Sequence, residues 1–204
     1  MPGAELWIPP KPTLPVLRQA VQLCEGCDLH RYATQAVFGE GPRKARIFMI
    51  GEQPGNEEDL QGHPFVGPSG RILDRALTDS SIDRTEVYVT NAVKHFKFEE
   101  RGKRRLHKKP LSTEIRACRP WLEAEVKLVG PKVIVCLGAT AAQTVLGNAF
   151  RVTQQRGVPL EHPWASYVLA TIHPSAILRV PDKQGREAEY SRFVDDLKNA
   201  ATFL

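Results

Sequence analysis

Four short runs of apolar residues recur along the chain, and each is rich in β-branched side chains. They are ARIFMIGE (45–52), EVYVTNAV (86–93), KVIVCLGA (132–139) and YVLATIHP (167–174). Runs of this length without regular polar alternation are typical of strands that are covered on both faces. The pattern therefore predicts four buried strands.

Segments with apolar residues at helical spacing separate and follow these runs. One precedes the first run, LPVLRQAVQLCEGC, and one follows each of the four: GPSGRILDRALTDS, STEIRACRPWLEAEVKLVG, ATAAQTVLG and REAEYSRFVDDLKNAATFL. Alternation of strands and helices predicts an α/β fold, in which right-handed crossovers cover both faces of a mostly parallel sheet.

The composition is that of one globular domain over residues 1–204, with a Pro-rich extended lead-in at 1–15. No apolar run approaches the roughly 20 residues that a membrane span needs. The first residues also lack a basic start followed by an apolar stretch, so no secretory signal is predicted. We expect a cytoplasmic monomer without a membrane partner.

The positive charge of the chain is concentrated in one segment, KHFKFEERGKRRLHKK (94–109). It contains eight Lys or Arg and two Glu, a formal charge of +6, whereas the whole chain carries +5. Such runs are commonly solvated loops. A basic loop insertion at 94–110 would, however, lie at the carboxyl edge of the predicted sheet, and a cluster of cations there favours a polyanionic partner.

Polar residues follow three of the predicted strands at the edge where α/β sheets bind ligands. Glu52 begins the Gly- and Pro-rich stretch 51–77, Asn91 ends the second strand, and His173 follows the fourth. The Asn91 amide could both donate and accept along the edge of a pyrimidine, and His173 could donate to a developing anion. Phe65 could belong to the core or stack on a planar base. Each is commonly structural when found alone, but together they favour a binding pocket.

The chain has four cysteines, and a reducing compartment argues against disulfides between them. Cys24 and Cys27 form a Cys-x-x-Cys pair, which is compatible with zinc, a redox pair or an iron–sulfur cluster. Cys136 lies inside the apolar run VIVCLGA, where a buried cysteine behaves as a small hydrophobic residue. We therefore do not expect Cys136 to be a ligand.

Several motifs in combination resemble the uracil-DNA glycosylase superfamily, in its iron–sulfur branch, over roughly residues 20–200. They are GEQPG…EDLQGHPFVGPSGRILDRAL, VTNAVKHFKF, ACRPWL, LGATAA and HPSAILR. KHFKF followed by GKRRLH resembles the X-type subgroup, which is known for bonding covalently to uracil-containing DNA. The resemblance implies a three-layer α/β/α sandwich around a four-stranded parallel sheet.

The resemblance also implies roles for the pocket residues. Glu52 would assist glycosidic cleavage, and His173 would lie near uracil O2. Phe65 would stack on the extruded uracil, and Asn91 would read its edge. The implied substrate-binding set is Gly51, Gln53, Gly55, Phe65, Asn91 and Ser175.

For the metal site, the resemblance implies a [4Fe–4S] cluster of structural function. Cys24, Cys27 and Cys118 match three of its ligands, and His95 stands at the position of the fourth. Histidine does ligate cluster iron in Rieske centres. Zinc remains an alternative, because three Cys and one His are also a common zinc set.

Within the basic segment, His107 resembles the DNA-linking histidine, and Arg105 resembles the arginine that helps to hold the loop. Loss of uracil leaves a cationic sugar, which a neutral imidazole could capture at C1′ in place of water. Phosphate contacts are expected from four cations, Lys94, Lys103, Arg104 and Lys108.

Three functions follow from this sequence. The leading one is a uracil-DNA glycosylase that remains attached to DNA, single-stranded DNA included, through His107 after one turnover. The first alternative is a conventional glycosylase that releases uracil and turns over. The second is a non-enzymatic, metal-containing protein that binds nucleic acid.

Overall fold

A computed structural model describes residues 2–204 of the chain. The strands are β1 (Ile47–Gly51), β2 (Val87–Asn91), β3 (Phe98–Arg101), β4 (Arg104–His107), β5 (Val133–Leu137), β6 (Leu160–His162) and β7 (Ala165–Thr171). The helices are α1 (Leu14–Ala20), α2 (Asn56–Gln61), α3 (Pro68–Asp79), α4 (Ser112–Val129), α5 (Ala139–Leu146), α6 (Val152–Gln155), α7 (Pro174–Leu178) and α8 (Lys183–Ala201). None of these helices is long and apolar enough to cross a lipid bilayer.

The main sheet has five strands in the order β2-β1-β5-β7-β6. The four predicted strands are present and pair in parallel, whereas β6 pairs antiparallel with β7. The prediction of a four-stranded, wholly parallel sheet is therefore wrong by one edge strand. The additional strand is antiparallel because only a short turn joins β6 to β7. Two strands joined by so short a connection can pair only in the antiparallel direction.

Helices cover both faces of this sheet, as predicted. On one face α3 and α8 pack Leu73 and Phe193 against alternate strand residues such as Met49. On the other face α4 and α5 pack against the residues in between, among them Phe48 and Cys136. Cys136 is fully buried in this apolar layer, as its sequence context predicts. Burial of one large apolar side chain stabilises the fold by about 1.5–3 kcal/mol. The two apolar layers therefore contribute much of the stability of the sheet that carries the site.

The N-terminal residues pack on α4 and are only partly extended. The main-chain N–H of Ala4 donates to the carbonyl of Ala117 at 2.8 Å, and a 3-10 turn follows at Glu5–Trp7. Helix α1 begins at Leu14, after Thr13 caps it through its side chain. The extended lead-in predicted for 1–15 is therefore interrupted by this turn, because Ala4 is buried in a third apolar cluster.

The basic segment is a β-hairpin, where the sequence predicted a loop. Strands β3 and β4 pair antiparallel, with Phe98 opposite His107 and Arg101 opposite Arg104. Gly102 at the turn has φ +61°, a left-handed conformation that glycine adopts without a Cβ penalty. The hairpin fixes which cationic side chains face the protein and which face outward.

Candidate active site

The carboxyl ends of β1 and β2 form the floor of a pocket. Gly51 and Asn91 are partners in the parallel register. A Cβ atom at Gly51 would lie 2.7 Å from the Phe65 ring and would also clash with the Asn91 side chain, so only glycine fits. The carboxamide of Asn91 is buried, and no residue among 2–204 hydrogen-bonds to it. A planar amide is thus left free beside an aromatic ring.

The Phe65 ring lies opposite the His173 ring. The ring centroids are 6.2 Å apart with an interplanar angle of 27°. Phe65 has φ +59°, which is uncommon for a bulky residue and costs of order 1–3 kcal/mol. Gly70 in α3 permits this turn, because a Cβ there would collide with the Phe65 main chain. The ring is therefore held in place by its backbone as well as by packing.

Glu58 joins the two loops that flank the pocket, a function that the motif did not suggest. Its carboxylate accepts hydrogen bonds from the N–H groups of Gly55 at 3.1 Å and Gly67 at 3.0 Å. Gly55 belongs to the first-strand loop, and Gly67 follows Phe65 by two residues. The nearly buried Glu58 side chain thereby fixes the spacing between these loops.

His173 caps α7 and is oriented by Ser175. Its Nδ1 atom accepts the Ser175 main-chain N–H at 3.2 Å and lies 2.8 Å from the Ser175 hydroxyl. The neutral ring must then carry its proton on Nε2. Burial, together with the nearby His107 and Arg179, lowers the pKa of His173 to about 4. His173 is therefore a neutral donor near pH 7, and the Ser175 side chain, expected to bind substrate, contacts His173.

Glu52 is held between α5 and the hairpin. Its Oε2 atom accepts a short hydrogen bond from Thr140, the second residue of α5. Its Oε1 atom lies 3.4 Å from Nε2 of His107. The sequence analysis did not predict a role for Thr140. Its position in LGATAA, directly after the third predicted strand, would have indicated that it lies at the same edge of the sheet. The carboxylate therefore has one oxygen fixed and the other facing His107.

Two side chains hold the hairpin against the pocket. Arg105 bonds the buried Asp59 carboxylate at 2.6 Å and the Asn56 side chain at 2.9 Å. The carboxamide of Gln53 bonds the main chains of Lys97 and Lys108 at the hairpin base. Arg105 thus ties β4, the strand that carries His107, to α2. Both ends of the Gln53 carboxamide are engaged in this way, and the expected contact of Gln53 with substrate stays a prediction.

Lys94 does not face solvent, so its predicted contact with phosphate is wrong. The side chain is fully buried, and its Nζ atom donates to the Glu125 carboxylate, to Thr90 Oγ1 at 2.6 Å and to the Asn91 carbonyl at 2.8 Å. Removing a charge from water is costly unless it is paired, and Glu125 provides the pairing. Tyr88 also donates to Glu125, at 3.0 Å.

The other three expected phosphate contacts are exposed on the hairpin. Lys103 and Arg104 have no ion-pair partner within residues 2–204, whereas Lys108 pairs with Glu99. Their contact with DNA stays a prediction.

The four expected metal ligands are all nearly buried at one end of α4. Cys24, Cys27 and Cys118 belong to one cluster, and His95 is equally inaccessible. Two of the sulfurs receive an N–H group. Trp121 Nε1 donates to Cys24 and the Lys94 main chain to Cys118, both at 3.2 Å. Hydrogen bonds of this kind stabilise metal-bound thiolates and tune iron–sulfur clusters.

The ionisation of these groups is dominated by burial. Burial raises the pKa of Cys118 to about 12 and also raises that of Cys27, while it lowers the pKa of His95 to about 4. A neutral imidazole can bind metal directly, whereas the thiols need a bound cation to ionise. No three Cys, His, Asp or Glu side chains within residues 2–204 converge as they would on a single metal ion. The soft donor set fits an iron–sulfur cluster, whose ligands bind separate iron atoms.

Fold and site together define an α/β protein whose pocket suits a flat, hydrogen-bonding ring: one aromatic face, one free amide, one neutral N–H donor and one carboxylate. Comparison with known proteins identifies the family. The family model described as the Uracil DNA glycosylase superfamily matches residues 38–198. The chain belongs to the uracil-DNA glycosylase superfamily, which confirms that part of the resemblance.

Several relatives bear the name Type-4 uracil-DNA glycosylase. The protein of Thermotoga maritima is 37% identical over 191 residues, which covers 93% of each chain. That of Archaeoglobus fulgidus is 36% identical over 181 residues, covering 85% of this chain and 86% of the relative. A Type-5 uracil-DNA glycosylase of Thermus thermophilus is 28% identical, covering 71% of each chain.

Proposed function

We propose that this protein is a uracil-DNA glycosylase, which breaks the bond between uracil N1 and deoxyribose C1′. The similarity to Type-4 enzymes over nearly the whole chain supports this activity. The pocket supports it independently, because Phe65, Asn91, His173 and Glu52 meet at one edge of the sheet. Enzymes that act on a base extrude it from the stack into such a pocket.

Each pocket group has one task in this reaction. Phe65 stacks on the extruded base, and the Asn91 carboxamide hydrogen-bonds along its edge. As the bond breaks, the electron pair stays on uracil, and the Nε2–H of His173 stabilises the anion at O2. The Glu52 carboxylate stabilises the positive charge that develops on the sugar.

We further propose that His107 captures the sugar, and the observation that carries this step is its 3.4 Å approach to Glu52. Glu52 accepts the proton from Nε2, and the freed electron pair on Nε2 bonds C1′ as uracil leaves with the N1 pair. The product is an alkylated imidazole on DNA and a uracil anion that takes up a proton. Because an alkylated imidazole is a poor leaving group, the protein acts once, as in the X-type subgroup.

A [4Fe–4S] cluster on Cys24, Cys27, His95 and Cys118 is part of the proposal. Bound there, it supplies structural cross-links between the N-terminal residues, the hairpin base and α4. Its support is the buried set of three sulfurs, two of which accept an N–H hydrogen bond. Absorbance near 400 nm together with iron and sulfide in the purified protein is expected. One zinc and no iron would contradict the assignment.

The decisive experiment uses a single-stranded oligonucleotide with one deoxyuridine, boiled in SDS with the protein before denaturing electrophoresis. We expect a shifted band that requires uracil and is absent with His107→Ala. His107→Ser leaves room for water and should give free uracil with repeated turnover. A band that persists in both variants would disprove the role of His107.

The 37% identity to a Type-4 enzyme over 93% of each chain also favours a second candidate, a glycosylase that turns over. It predicts no shifted band, but strand scission by alkali at the uracil position. If neither a shifted band nor alkali-labile strands are observed, the remaining alternative is a non-enzymatic protein that binds nucleic acid.

A further inference from the structure

A groove of about 500 Å³ lies between α2 and the outer side of the hairpin. It is lined by Asn56, Leu60, Lys103, Arg104, Arg105 and Leu106. Two of these residues are large apolar side chains left in contact with water, since Leu60 is 53% exposed and Leu106 is 40% exposed. Its volume is that of an ordinary small-ligand site, for which about 300–1,000 Å³ is typical.

The residues that line this groove include three cations and no carboxylate. Glu99 lies opposite Leu106 in the hairpin, and its carboxylate is paired with Lys108. Lys103 and Arg104 make no ion pair within residues 2–204, although Lys97 and Lys108 of the same segment are paired with Glu114 and Glu99. Unpaired cations beside an apolar surface suit a ligand that combines an anion with a flat apolar face. A nucleotide has this chemistry, because its phosphate is charged and its base has a π face.

The position of the groove relates it to the pocket. Side chains alternate along β4, so Arg104 and Leu106 face away from the side on which His107 meets Glu52. A strand rises about 3.3 Å per residue, which places Leu106 beside His107 and Arg104 roughly 10 Å away. The groove therefore begins next to His107 along β4 but on the opposite face of the hairpin, so a DNA strand that leaves the pocket would reach it by passing around the edge of β4.

We propose that this groove binds the nucleotide next to the uracil on the same DNA strand. Leu60 and Leu106 contact its base, and Lys103 and Arg104 bind the adjoining phosphate. The inference rests on the proposed glycosylase function and adds to it a subsite for the neighbouring residue of a single strand. A base that is unstacked in single-stranded DNA gains a new apolar partner there, so the subsite favours unpaired substrates.

The test measures uracil release in single turnover over a range of protein concentrations, with short single-stranded oligonucleotides. One substrate is intact, and two others lack the base of the nucleotide on the 5′ or the 3′ side of deoxyuridine. Partial burial of two leucine side chains under a base is expected to change affinity by about tenfold. We expect removal of one of the two neighbouring bases to raise the half-saturating concentration by about tenfold, with little change in the maximal rate.

The double variant Leu60→Ser/Leu106→Ser should raise the half-saturating concentration for the intact substrate by a similar factor. It should show no additional loss with the substrate that lacks the critical base. Leu6→Ser, at an apolar residue of the N-terminal segment that is still more exposed, is the control and should behave as wild type. Unchanged melting temperatures would exclude unfolding, which is not expected at exposed positions.

The two proposals fail in distinguishable ways. If wild type releases no uracil from any substrate, the glycosylase function fails. If uracil is released but neither neighbouring base matters, or the base effect persists undiminished in the Leu60→Ser/Leu106→Ser protein, the groove is not the subsite.

Discussion

Glu52 and His173 are each held by a hydroxyl-bearing neighbour that lies behind the pocket. Thr140 donates to one oxygen of Glu52, and Ser175 fixes the tautomer of His173 through Nδ1. Glu58 holds the two pocket loops together, because its carboxylate accepts a main-chain N–H group from each of them. Catalytic geometry is maintained by such supports, since a misplacement of about 1 Å can cost 100-fold in rate.

Replacement of Thr140 by valine keeps the side-chain shape and removes the hydrogen bond to Glu52. Hydrogen bonds to charged groups contribute about 1.5–3 kcal/mol, so single-turnover uracil release should slow by roughly 10- to 100-fold. Thr144→Val is the matched control, because that hydroxyl donates to the Thr140 carbonyl within the same helix. Equal rates for the two variants would refute a special role for Thr140.

The lowered pKa of His173 has a consequence for stability against pH. In the unfolded chain histidine binds a proton below about 6.5, whereas folded His173 does so only near 4. The unfolded state therefore binds more protons between these values, and stability falls as pH drops from about 6.5 toward 4. His173→Gln removes this component, so its melting temperature should decline less between pH 7 and pH 5 than that of wild type. If the melting temperatures of wild type and His173→Gln decline equally between pH 7 and pH 5, His173 is not held buried and neutral.

At the scale of elements, the segment between β2 and the hairpin is tied to α4 through one buried lysine. The Lys94 side chain bonds the Asn91 carbonyl and Glu125, and its main-chain N–H bonds the sulfur of Cys118. The strand end that carries the free amide is thus tied to α4 at two points. The buried ion pair fixes how β2 leads into the hairpin.

Lys94→Met should therefore be strongly destabilising. Breaking a buried ion pair from one side costs about 3–5 kcal/mol, because the Glu125 carboxylate would stay buried without its cation. The double variant Lys94→Met/Glu125→Gln should regain much of this loss in denaturant unfolding. Lys97→Met, which breaks a pair that is partly exposed, should cost less. A double variant as unstable as the single one would show that the charge is not the cause.

Apolar patterning was sufficient to predict the parallel strands, since β1, β2 and β5 are buried throughout and β7 is buried over its last four residues. The apolar pattern did not predict β6, because Leu160–His162 contains one apolar residue and depends on β7 for its pairing. The hairpin was hidden by its charged side chains, whose strand alternation carries no hydrophobic signal. Lys94 was misassigned because its partner, Glu125, lies 31 residues away along the chain. Local pattern cannot reveal such a pairing.

At the scale of the whole molecule, the proposed metal-ligand set connects segments that are distant in sequence. Cys24 and Cys27 belong to the N-terminal part, His95 follows β2, and Cys118 lies in α4. The N-terminal residues otherwise reach α4 through a few main-chain bonds and the apolar cluster around Ala4. Metal bound at this site would therefore contribute much of their attachment.

Loss of one ligand should release the N-terminal segment before the rest of the fold. For Cys118→Ala we expect less bound iron, a lower melting temperature and faster protease cleavage within the first thirty or so residues. Cys136→Ala is the matched control, because Cys136 is equally buried but lies in the apolar layer. Iron content that falls equally in both variants would contradict the ligand assignment.

The hairpin leaves and rejoins the fold at adjacent points. The Lys108 N–H donates to the Lys97 carbonyl at 3.0 Å, and one carboxamide, that of Gln53, holds both ends. Because its two ends lie side by side, the hairpin can be shortened without moving the strands of the main sheet, provided that Asp59, the buried partner of Arg105, is replaced as well. Joining 97 to 108 by a tight turn would then test whether the proposed single turnover depends on this one loop.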